Sequence, residues 1–247
     1  MTTDALSGGP FGAVLRDLDN VIRFYDTSRL AALERAAGLP AGTTAAVAFA
    51  PEVDLPLLLG RVTRRRWARS VALALAEREP GLPYARAREL GEALAGAPFR
   101  ADAAVVALLR RVRERMPLVL VTNASLELDE DLAAMGLTGL AHRVVNSALE
   151  GVAKPDRGIY EIAAARAGVP AARCLFVDDR PENVAAAAAL GMTGLVYRGP
   201  DGLAGALGLR PARPGRGEGE GEGEERERPG AGPGGAGPLS GTGRGAG

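Results

Sequence analysis

The feature that most constrains the fold is a series of short apolar runs that alternate with helix-forming segments. Residues 12–15, 118–121 and 174–177 are runs of this kind, and each is followed by polar residues. Continuous apolar runs of this length are typical of strands that are buried on both faces. Strands that alternate with helices at this spacing predict a parallel sheet with helices on both sides. We therefore expect an α/β fold.

A long segment after the first run lacks strand character. From about residue 27 to residue 98 we find no convincing strand, whereas residues 29–34, 57–79 and 86–95 are rich in helix-forming residues. Proline and glycine separate these stretches. The sequence therefore predicts a helical insertion between the first strand and the rest of the sheet.

Composition and charge exclude several classes of function. The chain has 247 residues, is 47% hydrophobic, and its 30 acidic residues balance 30 basic ones. A balanced chain has no overall field that attracts nucleic acid or an anionic membrane, so neither is expected as a partner. Cys174 and His142 are the only residues of their types. The sequence therefore excludes an intramolecular disulfide and a thiolate zinc site, and we expect no histidine-containing catalytic triad or dyad. Catalysis must then rely mainly on carboxylates, cationic side chains and hydroxyls.

The two ends of the chain differ from its middle. Residues 1–10 look like a flexible leader without the basic and apolar segments of a secretory signal, and no apolar run reaches the ~20 residues that a membrane span needs. We therefore expect a cytoplasmic protein. Glycine, glutamate, arginine and proline dominate residues 211–247, which predicts a disordered tail because such residues bury too little apolar surface to offset the entropy of ordering.

Polar side chains of types suited to catalysis or ligand binding follow three of the apolar runs. The first run leads into Asp17 and Asp19, the second into Thr122 and Asn123, the third into Asp178 and Asp179, and Lys154 lies in a loop between the last two. Ligands of open α/β sheets bind beyond the carboxyl ends of the strands. If the three strands are neighbours, four carboxylates, a hydroxyl, an amide and an ammonium group share one pocket.

Four carboxylates in one pocket require a cation, because close like charges do not all ionise without one. Aspartate and carbonyl oxygens suit a hard ion such as Mg²⁺, and the ammonium and hydroxyl groups suit an anionic substrate. Each motif taken singly has a structural explanation, such as a turn or a helix cap. Together and in this order they favour a site for phosphoryl transfer, in which positioning and charge neutralisation supply most of the rate.

Four motifs around these residues resemble those of the haloacid dehalogenase-like (HAD) superfamily. They are Asp17-Leu18-Asp19-Asn20-Val21, Val121-Thr122-Asn123, Lys154-Pro155 and Phe176-Val177-Asp178-Asp179. The similarity extends from about residue 11 to residue 198, apart from the insertion. It implies a Rossmann-like parallel sheet core over residues 11–27 and 99–210, with an inserted α-helical cap of the C1 type over residues 28–98.

The resemblance also implies a role for each candidate residue. Asp17 would be the nucleophile that becomes an aspartyl-phosphate, and Asp19 would protonate the leaving alkoxide and then activate the hydrolytic water. Thr122 and the backbone N–H of Asn123 would hold phosphoryl oxygens. Lys154 would neutralise the charge of the nucleophile and the phosphate.

A metal site follows from the same resemblance. Mg²⁺ would lie on Asp17, on the carbonyl oxygen of Asp19 and on the acidic pair Asp178 and Asp179. Of that pair, Asp179 is favoured as the direct ligand, with Asp178 acting through water.

The function implied is that of a Mg²⁺-dependent phosphatase that hydrolyses a small phosphorylated metabolite, a sugar phosphate or similar, as a monomer or homodimer. The presence of Asp19 argues against dehalogenation, because a departing halide needs no acid. Two alternatives stay open. One is a phosphomutase on the same core, and the other is a non-catalytic phosphate-binding or regulatory protein that retains the fold.

The roles of several residues near the first motif and in the insertion also stay open. Arg16 stands where the family usually has an apolar residue, and we expect it to pair locally or to lie at the pocket rim. Arg23 is equally consistent with a substrate contact and with a solvated side chain. Phe24, Tyr25 and Trp67 are consistent with a pocket wall and with core packing.

Overall fold

The computed structural model describes residues 10–209; the predicted tail, and all of the predicted leader except its last residue, lie outside the described residues. The strands are β1 (Ala13–Arg16), β2 (Arg23–Tyr25), β3 (Phe99–Ala101), β4 (Leu118–Thr122), β5 (Arg143–Asn146), β6 (Cys174–Asp178) and β7 (Thr193–Val196). The helices are α1 (Ser28–Ala36), α2 (Thr43–Ala48), α3 (Pro51–Leu58), α4 (Arg64–Arg78), α5 (Tyr84–Ala95), α6 (Ala103–Arg113), α7 (Leu128–Ala134), α8 (Ser147–Glu150), α9 (Arg157–Ala167), α10 (Pro181–Ala189) and α11 (Pro200–Ala206). In this part of the chain, none of the helices has both the length and the apolar character that crossing a membrane requires.

A parallel sheet of five strands forms the centre of the fold, in the order β5-β4-β1-β6-β7. Leu15 of the central strand lies beside Val119 of β4 on one side and Phe176 of β6 on the other. Every residue of β1, β4 and β6 is buried. Burial on both faces explains why these strands have continuous rather than alternating apolar sequences. The predicted α/β fold with a Rossmann-like parallel sheet is confirmed.

Helices cover both faces of the sheet because successive side chains of a strand point to opposite sides. On one face Val14 and Leu120 share an apolar cluster with residues of α6, α7 and α11. On the other face Leu15 and Val121 share a cluster with residues of α9 and α10. The two clusters hold the sheet between them, and the carboxyl ends of its parallel strands meet at one edge.

The segment between β2 and β3 is helical, as predicted, and has an apolar cluster of its own. Helices α1 to α5 surround buried side chains that include Leu30, Val71 and Leu90. Helices α4 and α5 approach so closely that a Cβ atom on Gly91 would lie 2.5 Å from the carbonyl oxygen of Ala68. Because only glycine permits this contact, Gly91 fixes how these two helices pack.

The helix-forming stretch over residues 57–79 is interrupted once. It contains the end of α3 and the whole of α4, with a break between them. Gly60 in the break has a φ of +68°, and a Cβ atom there would lie 2.2 Å from the carbonyl oxygen of Ala148. Thr63 then caps α4 by accepting a hydrogen bond from the backbone N–H of Arg66. The break therefore brings the insertion against α8 of the core, which is a tertiary contact.

A short antiparallel pair, β2 with β3, joins the chain where it enters and leaves the insertion. Phe24 lies opposite Arg100, and the rings of Tyr25 and Phe99 meet edge to face with their centroids 5.7 Å apart. The sequence did not predict these strands, since three residues each are too few for a periodic signal. The pair holds both connections of the insertion together beside the first motif.

Candidate active site

Three neighbouring strands deliver most of the predicted site residues to one edge of the sheet. Asp17 follows β1 directly, Thr122 is the last residue of β4, and Asp178 is the last residue of β6. Strands β4 and β6 flank β1 on its two sides. The backbone N–H of Asp17 donates to the carbonyl oxygen of Val177 at 2.9 Å, which extends the β1–β6 pairing up to the first motif. The expected convergence of these strand ends is therefore present.

Lys154 lies between two of the carboxylates. Its Nζ is 2.7 Å from Oδ1 of Asp17 and 2.7 Å from Oδ2 of Asp178. The Lys154 side chain is buried, which alone would lower its pKa, but the charges and hydrogen bonds of both aspartates outweigh burial and raise it. The ammonium group is therefore fixed as a cation between the predicted nucleophile and the acidic pair.

Asn123 positions the loop that carries Lys154. Its side-chain Nδ2 donates to the carbonyl oxygen of Lys154 at 2.9 Å, and its Oδ1 accepts from the backbone N–H of Lys154 at 2.7 Å. Two opposed hydrogen bonds, one to the C=O and one from the N–H of the same residue, fix the position and orientation of the Lys154 backbone. The side chain of Asn123 thus ties β4 to the lysine loop, and this role is additional to the one implied for its backbone.

Three carboxylates lie close enough to bind one cation. An oxygen from each of Asp17, Asp178 and Asp179 falls within 4.8 Å of the others. Burial raises the pKa of Asp17 to about 6, with Asp178 and Asp19 adding to the rise and Lys154 opposing it. A divalent cation among these oxygens would relieve the repulsion, and all-oxygen donors suit Mg²⁺. The residues present therefore fit the metal that the motifs imply.

The two members of the acidic pair have different surroundings. Both oxygens of Asp178 already accept hydrogen bonds, Oδ1 from the backbone N–H of Arg180 at 2.9 Å and both from Nδ2 of Asn183 at 3.0 and 3.1 Å. Asp179 is half-buried and accepts one hydrogen bond, from Nδ2 of Asn20 at 3.1 Å. These surroundings favour Asp179 as the direct ligand and Asp178 as a group that holds Lys154.

Asp19 is bound to a buried arginine. Arg23 Nε and Nη2 donate to the two oxygens of Asp19 at 2.5 and 2.9 Å, and Arg23 Nη1 donates to Asp131 at 2.8 Å. Arg64 of the insertion donates to the same oxygen of Asp131 at 2.6 Å and to Ser125 at 3.2 Å. Burial alone would lower the pKa of Arg23, but its bonds to Asp19 and the charge of Asp131 raise it above its ordinary value. A continuous charged network therefore runs from Asp19 to helix α4.

Arg23 is buried, so the solvated position left open for it is wrong. Because Arg23 also lines the cavity described below, its contact with a substrate stays a prediction. Asp131 was not a predicted site residue, and neither was Asn183, although each orients a predicted one. Asp131 stands in an acidic run on α7, where nothing in the sequence distinguishes it from its neighbours.

Thr122 takes a position that differs from that of the other candidates. Its side chain is fully buried, and its Oγ1 has no hydrogen-bond partner among residues 10–209. Thr122 is not among the residues that line the cavity described below. The hydroxyl is therefore an unpaired donor at the carboxyl end of β4, and its role in phosphate binding stays a prediction.

Arg16 lies away from the pocket rim. Its side chain is fully buried, stacks on Tyr197 with the guanidinium carbon 5.1 Å from the ring centroid, and donates to the carbonyl oxygen of Val21 at 3.2 Å. Arg16 Nε and Nη1 have no hydrogen-bond partner in the described part of the chain. The expected local pairing consists of the one hydrogen bond to Val21. The expected rim position is wrong, because side chains alternate along β1 and Arg16 points to the face of the sheet on which Tyr197 lies.

A cavity of about 1040 Å³ extends from the carboxylates to the helical insertion. The core contributes charged and amide side chains, among them Asp17, Asp19, Asn123, Lys154 and Asp179. Phe24, Tyr25 and Trp67 also line it, and Trp67 at the same time belongs to the apolar cluster of the insertion. For Trp67 both interpretations of the sequence therefore hold.

The sequence of residues 12–191 matches the family model described as "haloacid dehalogenase-like hydrolase". The chain belongs to this family. The match spans all four motifs and the insertion, so the hydrolase is an enzyme of the HAD-like class with a helical insertion in its core.

Two curated relatives of the hydrolase are named for an activity. A sesquiterpene phosphatase of Aspergillus oryzae is 37% identical over 99 residues, which cover 39% of this chain and 50% of that protein. A chloroplast flavin mononucleotide hydrolase of Arabidopsis thaliana is 41% identical over 58 residues, 24% of each chain. The matched part thus spans about half of the first relative and about a quarter of the second.

Among solved structures, a HAD family enzyme of Bacteroides thetaiotaomicron in complex with magnesium and inorganic phosphate superposes with a TM-score of 0.58. The two sequences are 16% identical, and the superposition covers 76% of this chain and 94% of that one. At this identity the similarity shows that the fold is shared.

Proposed function

We propose that this hydrolase is a Mg²⁺-dependent phosphatase that hydrolyses a small phosphorylated metabolite through an aspartyl-phosphate on Asp17. The observation that carries the proposal is the position of Lys154, whose Nζ lies 2.7 Å from Asp17 and 2.7 Å from Asp178. An ammonium between a buried carboxylate and a metal-binding group suits the attack of that carboxylate on a phosphate dianion. The two curated relatives, both named for hydrolysis of phosphate esters, support it.

The metal would be held by Asp17, Asp179 and the carbonyl oxygen of Asp19, with Asp178 acting through water. When bound, Mg²⁺ would offset the negative charge of the carboxylates and of the phosphoryl oxygens. The raised pKa of Asp17, about 6, supports this assignment, because a cation at the site would favour the ionised carboxylate.

The chain's own residues would carry out the two chemical steps. In the first step, a carboxylate oxygen of Asp17 bonds to phosphorus while the ester P–O bond breaks, and Asp19 gives a proton to the departing alkoxide. In the second step, Asp19 takes a proton from water as that water attacks the phosphorus of the aspartyl-phosphate, which releases inorganic phosphate and restores Asp17. Lys154 would balance charge in both steps.

Asp19 must leave part of its pairing with Arg23 to reach the leaving group. Because Arg23 binds both oxygens of Asp19, loss of one bond would still leave the carboxylate tethered by the other. The network through Asp131 to Arg64 gives the helical insertion a physical connection to this step. Arg23 is accordingly a positioning residue.

The test is release of inorganic phosphate from a panel of phosphorylated metabolites, with Mg²⁺ and with EDTA. Wild type should release phosphate only with the metal, and Asp17→Asn should release none above background. The matched control is Asp129→Asn, which changes an exposed aspartate of α7 in the same way and should retain activity. Release that persists in EDTA or in Asp17→Asn would refute the proposal, and an isomerised sugar phosphate without phosphate release would indicate a mutase.

A further inference from the structure

The cavity above the carboxylates is much larger than a phosphoryl group needs. Its volume is about 1040 Å³, at the upper end of the ~300–1,000 Å³ of typical small-molecule pockets. A phosphate with a two- or three-carbon group would leave most of this space to water. The cavity therefore has room for a substantial organic group attached to the phosphate.

Most of the residues that the helical insertion contributes to the cavity lining are apolar. The helical insertion contributes the side chains of Leu30, Ala45, Phe49, Leu57, Trp67 and Leu94. Phe49 lies beside Trp67, with ring centroids 6.3 Å apart, yet is 59% exposed. A large aromatic side chain that is exposed within a cavity wall gains most when a ligand removes it from water.

Some charged groups in the wall are already paired within the insertion. Both carboxylate oxygens of Glu34 accept backbone hydrogen bonds, Oε2 from Gly42 at 2.8 Å and Oε1 from Thr44 at 2.7 Å. Glu34 is also buried. It therefore stabilises the start of α2 and is a poor partner for substrate hydroxyls.

Most of the other charged groups of the wall are paired near the phosphate end. Asp131 binds Arg23 and Arg64, and Arg23 also binds Asp19. Asp54 has no ion pair within residues 10–209; burial raises its pKa to about 6, and the charge of Arg180 opposes that rise. A polyol in this cavity would lose water from several hydroxyls and find few free partners for them.

We propose that the organic part of the substrate is a long, predominantly apolar alcohol, so that the hydrolase acts on a phosphomonoester of an alkyl or alicyclic alcohol rather than on a sugar phosphate. This inference rests on the proposed phosphatase function and narrows its substrate. The phosphate lies at Asp17 and Lys154, and the apolar group extends along Phe49 and Trp67.

The first test compares kcat/KM for ethyl, butyl and octyl phosphate, below the micelle concentration, with glucose 6-phosphate. The reacting bonds of the three alkyl esters are alike, so differences report the cavity wall. Burial of a methylene is worth ~0.8 kcal/mol, about fourfold in kcat/KM, so burial of the six additional methylenes should raise kcat/KM for octyl phosphate about 3 × 10³-fold above that for ethyl phosphate. Equal values along the series, or a preference for glucose 6-phosphate, would overturn the inference while leaving the phosphatase function intact.

The second test changes the wall. Phe49→Asp places a charge in the apolar part of the cavity, and it should reduce the octyl-to-ethyl ratio of kcat/KM at least tenfold. The matched control is Leu73→Asp, a residue of α4 that is 61% exposed and is not among those lining the cavity. The control should keep the wild-type ratio. An unchanged ratio in Phe49→Asp would count against the assigned position of the apolar group.

A binding measurement separates this inference from the phosphatase function. Trp67 is the only tryptophan of the chain, so its fluorescence reports binding at the cavity wall. In Asp17→Asn with Mg²⁺, octyl phosphate should change the emission at concentrations at least tenfold lower than ethyl phosphate or glucose 6-phosphate does. Tight octyl binding without hydrolysis by wild type would refute the function and keep the apolar site. Hydrolysis by wild type without any octyl preference in binding would do the reverse.

Discussion

Arg16 is a buried cation whose replacement should stabilise the protein. Its guanidinium is fully buried beneath Tyr197, donates one hydrogen bond to Val21 at 3.2 Å, and has two further nitrogens without a partner in the described residues. Burial lowers the pKa of Arg16 from 12.5 to about 10, against smaller opposing effects of Tyr197, Asp17 and Asp102. The folded chain therefore binds this proton less tightly than the unfolded chain does.

The size of the effect follows from that difference. Each tenfold change in a protonation equilibrium is worth about 1.36 kcal/mol, so the charged Arg16 disfavours folding by about 3 kcal/mol. Because the folded-state pKa is the lower one, the full penalty applies at every pH well below 10 and falls only as the pH rises through that value. Arg16→Met keeps an apolar chain of similar length and carries no charge. We expect it to raise the free energy of unfolding at pH 7.5 by about 1–3 kcal/mol, after allowing for the lost stacking on Tyr197.

The assay is thermal and urea unfolding of the full chain at pH 7.5. A gain of this size corresponds to a rise in Tm of roughly 3–10 °C for a domain of about 200 residues. Arg61→Met removes an exposed arginine and should change the free energy of unfolding by less than about 0.5 kcal/mol. Arg16→Lys keeps the charge but loses the planar fork, and it should be less stable than wild type. If Arg16→Met lost 1 kcal/mol or more, the guanidinium would have to be well paired, and the reasoning from burial would be refuted.

Three further predictions concern single side chains. Arg23→Gln should lower kcat/KM for alkyl phosphates by about 10²-fold, because Asp19 loses its fixed position, but should lower it far less for p-nitrophenyl phosphate, whose leaving group needs no proton. The control Arg29→Gln, which changes an exposed arginine, should leave kcat/KM for both substrates unchanged. An equal loss for both substrates in Arg23→Gln would contradict the positioning role. In EDTA, Lys154→Met should reduce the free energy of unfolding by about 3 kcal/mol, as measured by urea titration, because two buried carboxylates lose their cation. An unchanged urea midpoint would mean that the charge of the two carboxylates is compensated by other groups. Cys174 should resist alkylation by iodoacetamide at pH 8 until urea unfolds the chain, because burial raises the pKa of its thiol to about 11. Mass spectrometry measures the label, and rapid labelling of the native protein would contradict the prediction by showing that the thiol is accessible.

Much of the site could be predicted from the sequence because its parts lie at the ends of apolar runs. Asp17, Thr122 and Asp178 each end or follow a strand whose residues are all buried, and neighbouring parallel strands bring such ends together. Lys154 lies in a loop that has no periodic signal, so its specific role beside Asp17 required the resemblance to known motifs. Its contacts with the carboxylates then follow from the loop geometry that Asn123 fixes.

The remaining features depend on contacts between distant parts of the chain. Arg23 and Asp131 are separated by 108 positions, and no local pattern indicates that they pair. The break between α3 and α4 depends on the approach of Gly60 to Ala148, which is visible only once the insertion lies on the core. The sequence predicts that Arg16 pairs locally or lies at the pocket rim, whereas its burial against Tyr197 depends on a contact between distant parts of the chain.

The most direct test of the central claim is to identify the atom to which the phosphoryl group is transferred. Wild-type protein with Mg²⁺ is mixed with a ³²P-labelled phosphomonoester that it hydrolyses, quenched in acid within milliseconds, digested and analysed by mass spectrometry. We predict a hydroxylamine-sensitive label on the peptide that contains Asp17, absent in Asp17→Asn and still formed in Asp129→Asn. Phosphate release without any labelled aspartate, or with the label on a different residue, would contradict the account.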